Sequence, residues 1–401
     1  MGEKRTIDLI DQTAVKEARD IIWQQYIEEQ KQDEVRKREI KEGVMTYGDV
    51  QMRYGMDIIG EPDEEGYPLY IALHGGGQSD TPDMNDQQWA HMGIYYKNSV
   101  SHGIYVNPRG VRDTWDTHGN PESFPLYDRL IENMVVFHQA DPNRVYLLGF
   151  SAGGDGVYIV APRMADRLAA THMSAGHPNG TSVTNLYNVP IQLQVGMNDT
   201  AYDRHKVTIE YGLKLDSLET HYDGGYTHRV FVHKNKGHNF YDNKEEDQAV
   251  LADPVAWLKG KNESEIYADT NAIHFLKQYK REPLPGRIVW DLGNRGEKRN
   301  TNCFYWLKRN PEVTQGEIIA RFDTSLNKII IERDTTEGQF QILVNEEMID
   351  LFAPILVETP KGCASVRANL SEKLIRETTY DRGDRNFQFV AAIDCSQLDY
   401  K

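Results

Sequence analysis

A serine flanked by glycines at two-residue spacing, Gly149-Phe150-Ser151-Ala152-Gly153, is the stretch of this chain best suited to chemistry. A serine hydroxyl is a weak nucleophile at neutral pH unless a base lies within hydrogen-bond reach. A sharp turn between a strand and a helix helps by holding the hydroxyl clear of its own backbone. In such a turn the residues two before and two after the serine nearly touch, and glycine removes the clash that side chains would make. The context fits: residues 145–148 form a short apolar run of strand type, and a helix-compatible sequence follows. Ala152 would open that helix, leaving its amide unpaired and aimed at negative charge forming beside Ser151. The plainer alternative is a glycine-rich loop with an exposed serine. It does not account for three further signals elsewhere in the chain.

The first of these is a base. His238 follows the last strand of the central region, in Lys236-Gly237-His238, ahead of a polar loop. Thirteen histidines are present, and His233 is the nearest rival, but it falls within the strand pattern rather than beyond it. The second is an acid. Asp199, in Gly196-Met197-Asn198-Asp199-Thr200, stands just past another strand, where a carboxylate can accept from an imidazole and stabilise its charged form. Asp203 is its competitor, and helix capping is the plainer role for either. The third is His74-Gly75-Gly76-Gly77 at the end of a strand. Backbone amides there can hold an oxyanion, and each such donor is worth about 10²- to 10³-fold in rate. The amides of Gly76 and Ala152 form the expected pair, with Gly77 as a variant of the first.

These residues need a scaffold that brings strand ends together. Residues 13–40 have Val15, Ala18, Ile22 and Tyr26 at helical spacing. An alternating stretch at 46–59 is followed by strands at 67–73, 103–106, 145–148, 169–174, 189–195 and 229–233. Helical patterns at 86–98, 126–140, 156–168 and 206–218 separate them, with Pro162 expected to kink or shorten the third. Strand–helix alternation of this kind implies a mostly parallel sheet covered on both faces. Pro283-Leu284-Pro285-Gly286 reads as a linker. Beyond it come short strands at 288–290, 303–307, 317–322, 328–332, 340–344, 355–357 and 386–393, the pattern of a small β-sandwich. The expected division is a helical extension over 1–43, an α/β domain over 44–282 and a β-rich domain over 283–401.

The order serine, aspartate, histidine, together with the glycine run and the Gly-x-Ser-x-Gly turn, resembles the α/β-hydrolase superfamily. The likeness covers residues from about 45 to 260 and is to esterases of the phospholipase/carboxylesterase type, including polyhydroxybutyrate-depolymerase-like enzymes, and to prolyl-oligopeptidase catalytic domains. It implies an α/β-hydrolase fold with a mostly parallel, eight-stranded sheet, and catalysis without metal or other cofactor. It extends to neither the first 43 residues nor the β-rich tail, and it brings no β-propeller.

In open parallel sheets ligands bind beyond the carboxyl ends of strands. Arg109, Arg112 and Trp115 after one strand, and His177 and Asn179 after another, are therefore candidate pocket residues with Gly77, although surface and loop-packing roles suit each of them equally well. An arginine there could hold a carboxylate or phosphate. Asp155 reads as a carboxylate at a helix N-terminus. No His, Cys or Asp cluster has metal-ligand spacing. Hydrophobic residues make up 39% of the chain and charged residues 26%, and the net charge of −16 disfavours nucleic acid and anionic membranes as partners. Three cysteines, no leader-like apolar core and no run of transmembrane length point to a cytoplasmic protein. The expectation is a serine esterase acting on a small-molecule ester. A peptidase or amidase using the same groups is the first rival, and a carbohydrate- or protein-binding β-domain carried on a hydrolase scaffold is the second. Trp290, Tyr305 and Trp306 would be candidates for a sugar site in that last case. Homo-oligomerisation stays open.

Overall fold

The computed structural model describes residues 8–78, 81, 83–294, 299 and 301–400. The chain opens with helices α1 (Gln12–Gln32) and α2 (Glu34–Glu42), where the sequence suggested one helix. Asp33 makes the break, with an extended backbone and its amide bonded back to the Gln30 carbonyl. There follow β1 (Val44–Tyr47), β2 (Val50–Ile59), β3 (Tyr67–Leu73), α3 (Met84–Tyr95), β4 (Gly103–Pro108), α4 (Ser123–His138), β5 (Ala140–Phe150) and α5 (Ala152–Arg163). Next come β6 (Ala170–Ser174), β7 (Ile191–Gly196), α6 (Arg204–Tyr222), β8 (His228–His233), β9 (Gln248–Leu251), α7 (Pro254–Leu258), β10 (Glu265–Ala268) and α8 (Ala272–Leu276).

The described residues divide into two compact units. One is residues 35–282. The other joins α1 to everything described from residue 283 onward. The first boundary expected from the sequence therefore moves: α1 is part of the β-rich unit and not a separate extension. Its apolar stripe explains why. Val15, Ala18, Ile22 and Tyr26 are all buried, Arg19 pairs with Glu346 at 2.5 Å, and Tyr26 meets the Tyr380 ring edge-on at 5.1 Å. Arg19 is itself buried, so these contacts give the helix a fixed seat.

In the larger unit ten strands form one sheet in the order β1-β2-β4-β3-β5-β6-β7-β8-β9-β10. The six from β4 to β8 run parallel, and the pairs at both margins are antiparallel. Ten strands stand where eight were expected. The 46–59 stretch is a hairpin of two strands, and β9 and β10 have only four residues each, too few for a periodic pattern. Strands β3, β4, β6 and β7 are buried along their whole length, as parallel strands covered by helices must be. Gln192 and Gln194, which alternate with Ile191, Leu193 and Val195 on β7, are buried as well. Gln192 meets His172, and Gln194 donates to the Thr270 carbonyl while accepting from His233.

The β-rich unit holds a five-stranded sheet, β11 (Arg287–Asp291), β14 (Glu317–Asp323), β15 (Lys328–Asp334), β17 (Ile355–Thr359) and β18 (Gly362–Val366), in that order. A four-stranded sheet of β12 (Cys303–Phe304), β13 (Leu307–Arg309), β16 (Phe340–Val344) and β19 (Ala391–Asp394) accompanies it. Aromatic side chains join the two. Trp290 stacks on Phe304 at 5.4 Å, and Trp306 meets Phe322 edge-on at 5.7 Å. Trp290, Tyr305 and Trp306 are thus core residues, each no more than 2% exposed, and not an open sugar platform. The 303–307 stretch is a hairpin turning at Tyr305, where φ is 50°. The expected strand at 386–393 begins only at Ala391, and α9 (Glu372–Arg382) falls where no helix was anticipated.

Helix α9 is capped at both ends: the Ser371 hydroxyl accepts from the Leu374 amide, and Gly383 closes it in the left-handed conformation. Ser371→Ala should destabilise the β-rich unit by about 1 kcal/mol. Urea unfolding followed by tryptophan fluorescence, to which Trp23, Trp290 and Trp306 of this unit contribute, checks this; an unchanged midpoint would contradict it.

Candidate active site

Ser151 sits between β5 and α5 with φ 58° and ψ −121°, a backbone conformation that non-glycine residues rarely adopt. The turn is as tight as the flanking glycines suggest. A Cβ on Gly149 would lie 2.3 Å from the Gly153 carbonyl oxygen, and one on Gly153 would lie 2.0 Å from that of Leu73. The Ser151 amide donates to the Ser174 carbonyl at 2.9 Å, tying the turn to the end of β6. Helix α5 ends one residue after Pro162.

His238 and Asp199 come to the same edge. His238 Nε2 is 2.9 Å from Ser151 Oγ, and His238 Nδ1 is 2.7 Å from Asp199 Oδ2. With Nδ1–H donating to the carboxylate, Nε2 is free to accept from the serine hydroxyl. Asp199 is buried, whereas about a third of the His238 side chain is exposed, so the imidazole faces the open side. The two supporting loops lie against each other. A Cβ on Gly196 would be 1.9 Å from the Gly237 carbonyl oxygen, and the Asn198 amide donates to the Lys236 carbonyl at 2.7 Å. Arg204 Nη1 stands 3.5 Å from the second oxygen of Asp199. Asp203, the rival acid, pairs with Lys206 on the surface.

The His74–Gly77 run passes beside the serine. A Cβ on Gly75 would lie 3.4 Å from Ser151 Cβ, and one on Gly77 would lie 3.5 Å from Ala152 Cβ. The amides of Gly76 and Ala152 have no partner among the described residues. That of Gly77 donates to Asn85 Oδ1 at 2.8 Å, and Asn85 Nδ2 returns a bond to the Gly77 carbonyl at 2.7 Å. Gly77 is therefore committed as a structural residue and does not serve as the alternative donor. Sequence reasoning missed Asn85, an unremarked polar residue at the start of α3.

The other pocket candidates divide. Arg109 is buried, and its guanidinium is spent on Asp86 at 3.0 Å, the Gly110 carbonyl at 2.8 Å and Asp113 at 2.5 Å. It braces the loop, since Asp113 also accepts from Asn85, and each of its three nitrogens is engaged there. Arg112 pairs with Asp49 and Glu122. Trp115 is half exposed, and its carbonyl lies beside Gly77. His177 donates its amide to Asp155, whose other oxygen accepts from Asn179, so Asp155 clamps the loop after β6. Burial raises the Asp155 carboxyl above its ordinary range.

His74 is wholly buried. Its Nε2 accepts from the Gly110 amide at 3.0 Å and its Nδ1 faces the Gly75 carbonyl at 2.6 Å, which calls for the neutral ring protonated on Nδ1. Burial lowers its pKa to about 4 and pushes that of its neighbour His118 well below the usual imidazole value. Among the described residues, no group of three or more His, Cys, Asp or Glu could hold a metal ion, and no helix is long and apolar enough to cross a membrane.

A mostly parallel sheet, with a strained serine turn, an acid and a base in that order at its carboxyl edge, is the arrangement of the α/β-hydrolase fold. Residues 94–279 match the model of the dienelactone hydrolase family. A curated relative, the bifunctional acetylxylan esterase/xylanase XynS20E of Neocallimastix patriciarum, is 30% identical over 144 residues, 35% of this chain. The chain covers 20% of that relative's length. Among solved structures, LpqC, a poly(3-hydroxybutyrate) depolymerase from Bordetella parapertussis, is 14% identical with a TM-score of 0.41, covering 60% of this chain and 99% of its own. A thermostable esterase is 17% identical with a TM-score of 0.39, covering 59% and 62% respectively.

A histidine whose folded pKa lies below its unfolded value contributes stability that is complete above about 6.5 and is lost as pH falls toward about 4. For His74 the full difference is on the order of 3 kcal/mol. Its ring-proton resonance, assigned by comparison with His74→Gln, should keep the neutral shift down to pH 5. Titration near pH 6.5 would contradict a buried neutral ring.

Proposed function

We propose that this chain is a serine hydrolase of carboxylic esters. The observation that carries the reading is the continuous hydrogen-bond chain from Ser151 Oγ through both nitrogens of His238 to Asp199, at 2.9 and 2.7 Å. Ser151 attacks the ester carbonyl as its proton passes to His238 Nε2. Asp199 holds the ring in the required tautomer and stabilises the imidazolium. The charge that develops on the carbonyl oxygen is taken up by the amides of Gly76 and Ala152, the latter at the positive end of α5. Collapse of the tetrahedral species breaks the bond to the alkoxy oxygen, and His238 returns the proton to the departing alcohol. Water, deprotonated by the same imidazole, then attacks the acyl-serine; the carboxylic acid leaves and Ser151 regains its proton.

Each step is supplied by groups of the chain itself. Trp115, half exposed beside the Gly77 backbone, is the side chain we assign to contact with the bound ester. Arg109 is left out of the pocket because it is buried and each of its three nitrogens already has a partner in the loop. The substrate class in the name of the acetylxylan esterase makes an acetylated sugar a natural first ester to assay beside short p-nitrophenyl esters.

Ser151→Ala and His238→Ala should each lower kcat for p-nitrophenyl acetate by 10³-fold or more, roughly to the level left by binding and the oxyanion donors alone. Asp199→Asn should cost about as much, through the wrong imidazole tautomer. Fluorophosphonate should label the parent and not Ser151→Ala. Full hydrolysis by Ser151→Ala would end the proposal. A matched amide cleaved faster than the ester would reassign the enzyme to the amidases.

A further inference from the structure

Four residues beyond His238 the chain buries a carboxylate completely. Asp242 accepts from the hydroxyls of Tyr95 at 2.8 Å and Tyr96 at 2.7 Å and meets His172 Nε2 at 2.5 Å. An ionised group without solvent is tolerable only when it is paired and its lone pairs are filled. Here three donors, from the end of α3 and from β6, do this, and they outweigh burial to hold the carboxyl below its ordinary range. His172 is anchored in turn by Gln192 on β7 at 2.9 Å. The segment around Asp242 is pinned as well. The Ala272 amide donates to the Asp242 carbonyl at 2.9 Å, and Asn243 Nδ2 donates to the Tyr95 carbonyl at 2.5 Å. None of these groups enters the reaction described above.

Two routes lead from this cluster back to the base. One is the backbone, from Asp242 to His238 through Phe240, which is buried and stacked on His233 at 4.4 Å. The other is a row of rings. Tyr95, bonded to Asp242 through its hydroxyl, packs on Phe150 at 5.7 Å, and Phe150 packs on His238 at 5.2 Å. Phe150 directly precedes Ser151. The same tyrosine therefore bears on the neighbour of the nucleophile and, through the carboxylate, on the loop that carries the base.

We propose that Asp242, held by Tyr95, Tyr96 and His172, is a positioning residue that sets the His238 imidazole against Ser151. The loop after β8 is anchored near its far end and closed laterally by the ring row, so the imidazole is confined without being bonded to the cluster. The inference rests on the serine-hydrolase reading for its kinetic consequence and on geometry alone for its structural one.

Asp242→Asn keeps the shape of the side chain and removes its charge; Tyr95→Phe and Tyr96→Phe each remove one donor and serve if the first variant does not fold. Per active site, counted by end-point fluorophosphonate labelling, kcat for p-nitrophenyl acetate should fall about tenfold to a hundredfold with KM within twofold. The low-field His238 Nδ1–H proton resonance, seen in the parent and assigned with His238→Gln, should broaden or shift in the same variants. A merely structural role would lower the melting temperature and leave both readouts alone, and that result overturns the proposal. If the parent hydrolyses no ester, the functional reading fails while the resonance still decides this one: an unmoved resonance in all three variants overturns it, and a moved one sustains it.

Discussion

A hydrogen bond between an imidazole and a hydroxyl tolerates errors of only a few tenths of an ångström. Here the two side chains arrive on loops that leave β5 and β8, strands separated in the sheet by β6 and β7. Much of the larger unit can be understood as the means of meeting that tolerance. Parallel pairing fixes the heights of the strand ends, so that the residues just past Leu73, Phe150, Gly196 and His233 face one another across one edge. Glycines then remove the side chains that would keep the loops apart, at Gly149 and Gly153 beneath the serine and at Gly196 against Gly237. The strain at Ser151 is bearable because the surrounding sheet over-determines its position.

Polar groups inside the sheet do the second half of this work. His172, Gln192, Gln194 and His233 lie on parallel strands, where a hydrophobic run would be expected, and each is paired. Asp242 joins this set from the loop that carries His238. Buried polar pairs contribute little net stability, because desolvation opposes them, but they allow few alternative arrangements. Placed beneath a site that needs one geometry, they trade cohesion for definition. The loop around Gly77 is treated in the same way, with Asn85, Asp113 and Arg109 fixing a backbone whose own sequence is almost pure glycine.

Residues with special local demands were legible in the sequence. The Gly-x-Ser-x-Gly spacing, the strand before it and the glycine run after β3 are short-range patterns with short-range causes, and they led to Ser151, Ala152 and Gly76. His238 and Asp199 could be chosen among many candidates because strand ends are legible as well. Elements without an apolar pattern were not. Helix α9 buries Ile375, Thr378, Thr379 and Arg382, a face with one aliphatic side chain, so only its caps, Ser371 and Gly383, could have announced it. Strands β9 and β10 are marginal to the sheet and, at four residues each, too short to show a period.

Arg109 marks the limit most clearly. Its position past a strand end suited a substrate anion as well as it suited a brace, and only the arrival of Asp86 from α3 and the folding back of Asp113, four residues on, decided between them. In the same way the fate of α1 depended on Glu346 and Tyr380, more than three hundred residues away. By itself the sequence determined the class of fold, the turn that strains the serine and the strand ends that carry Ser151, Asp199 and His238, because these follow from local sterics and hydrophobic period. Tertiary structure alone decided which charges are already spent, which helix joins which unit and what lies behind the base, because those depend on partners that chain order does not bring together.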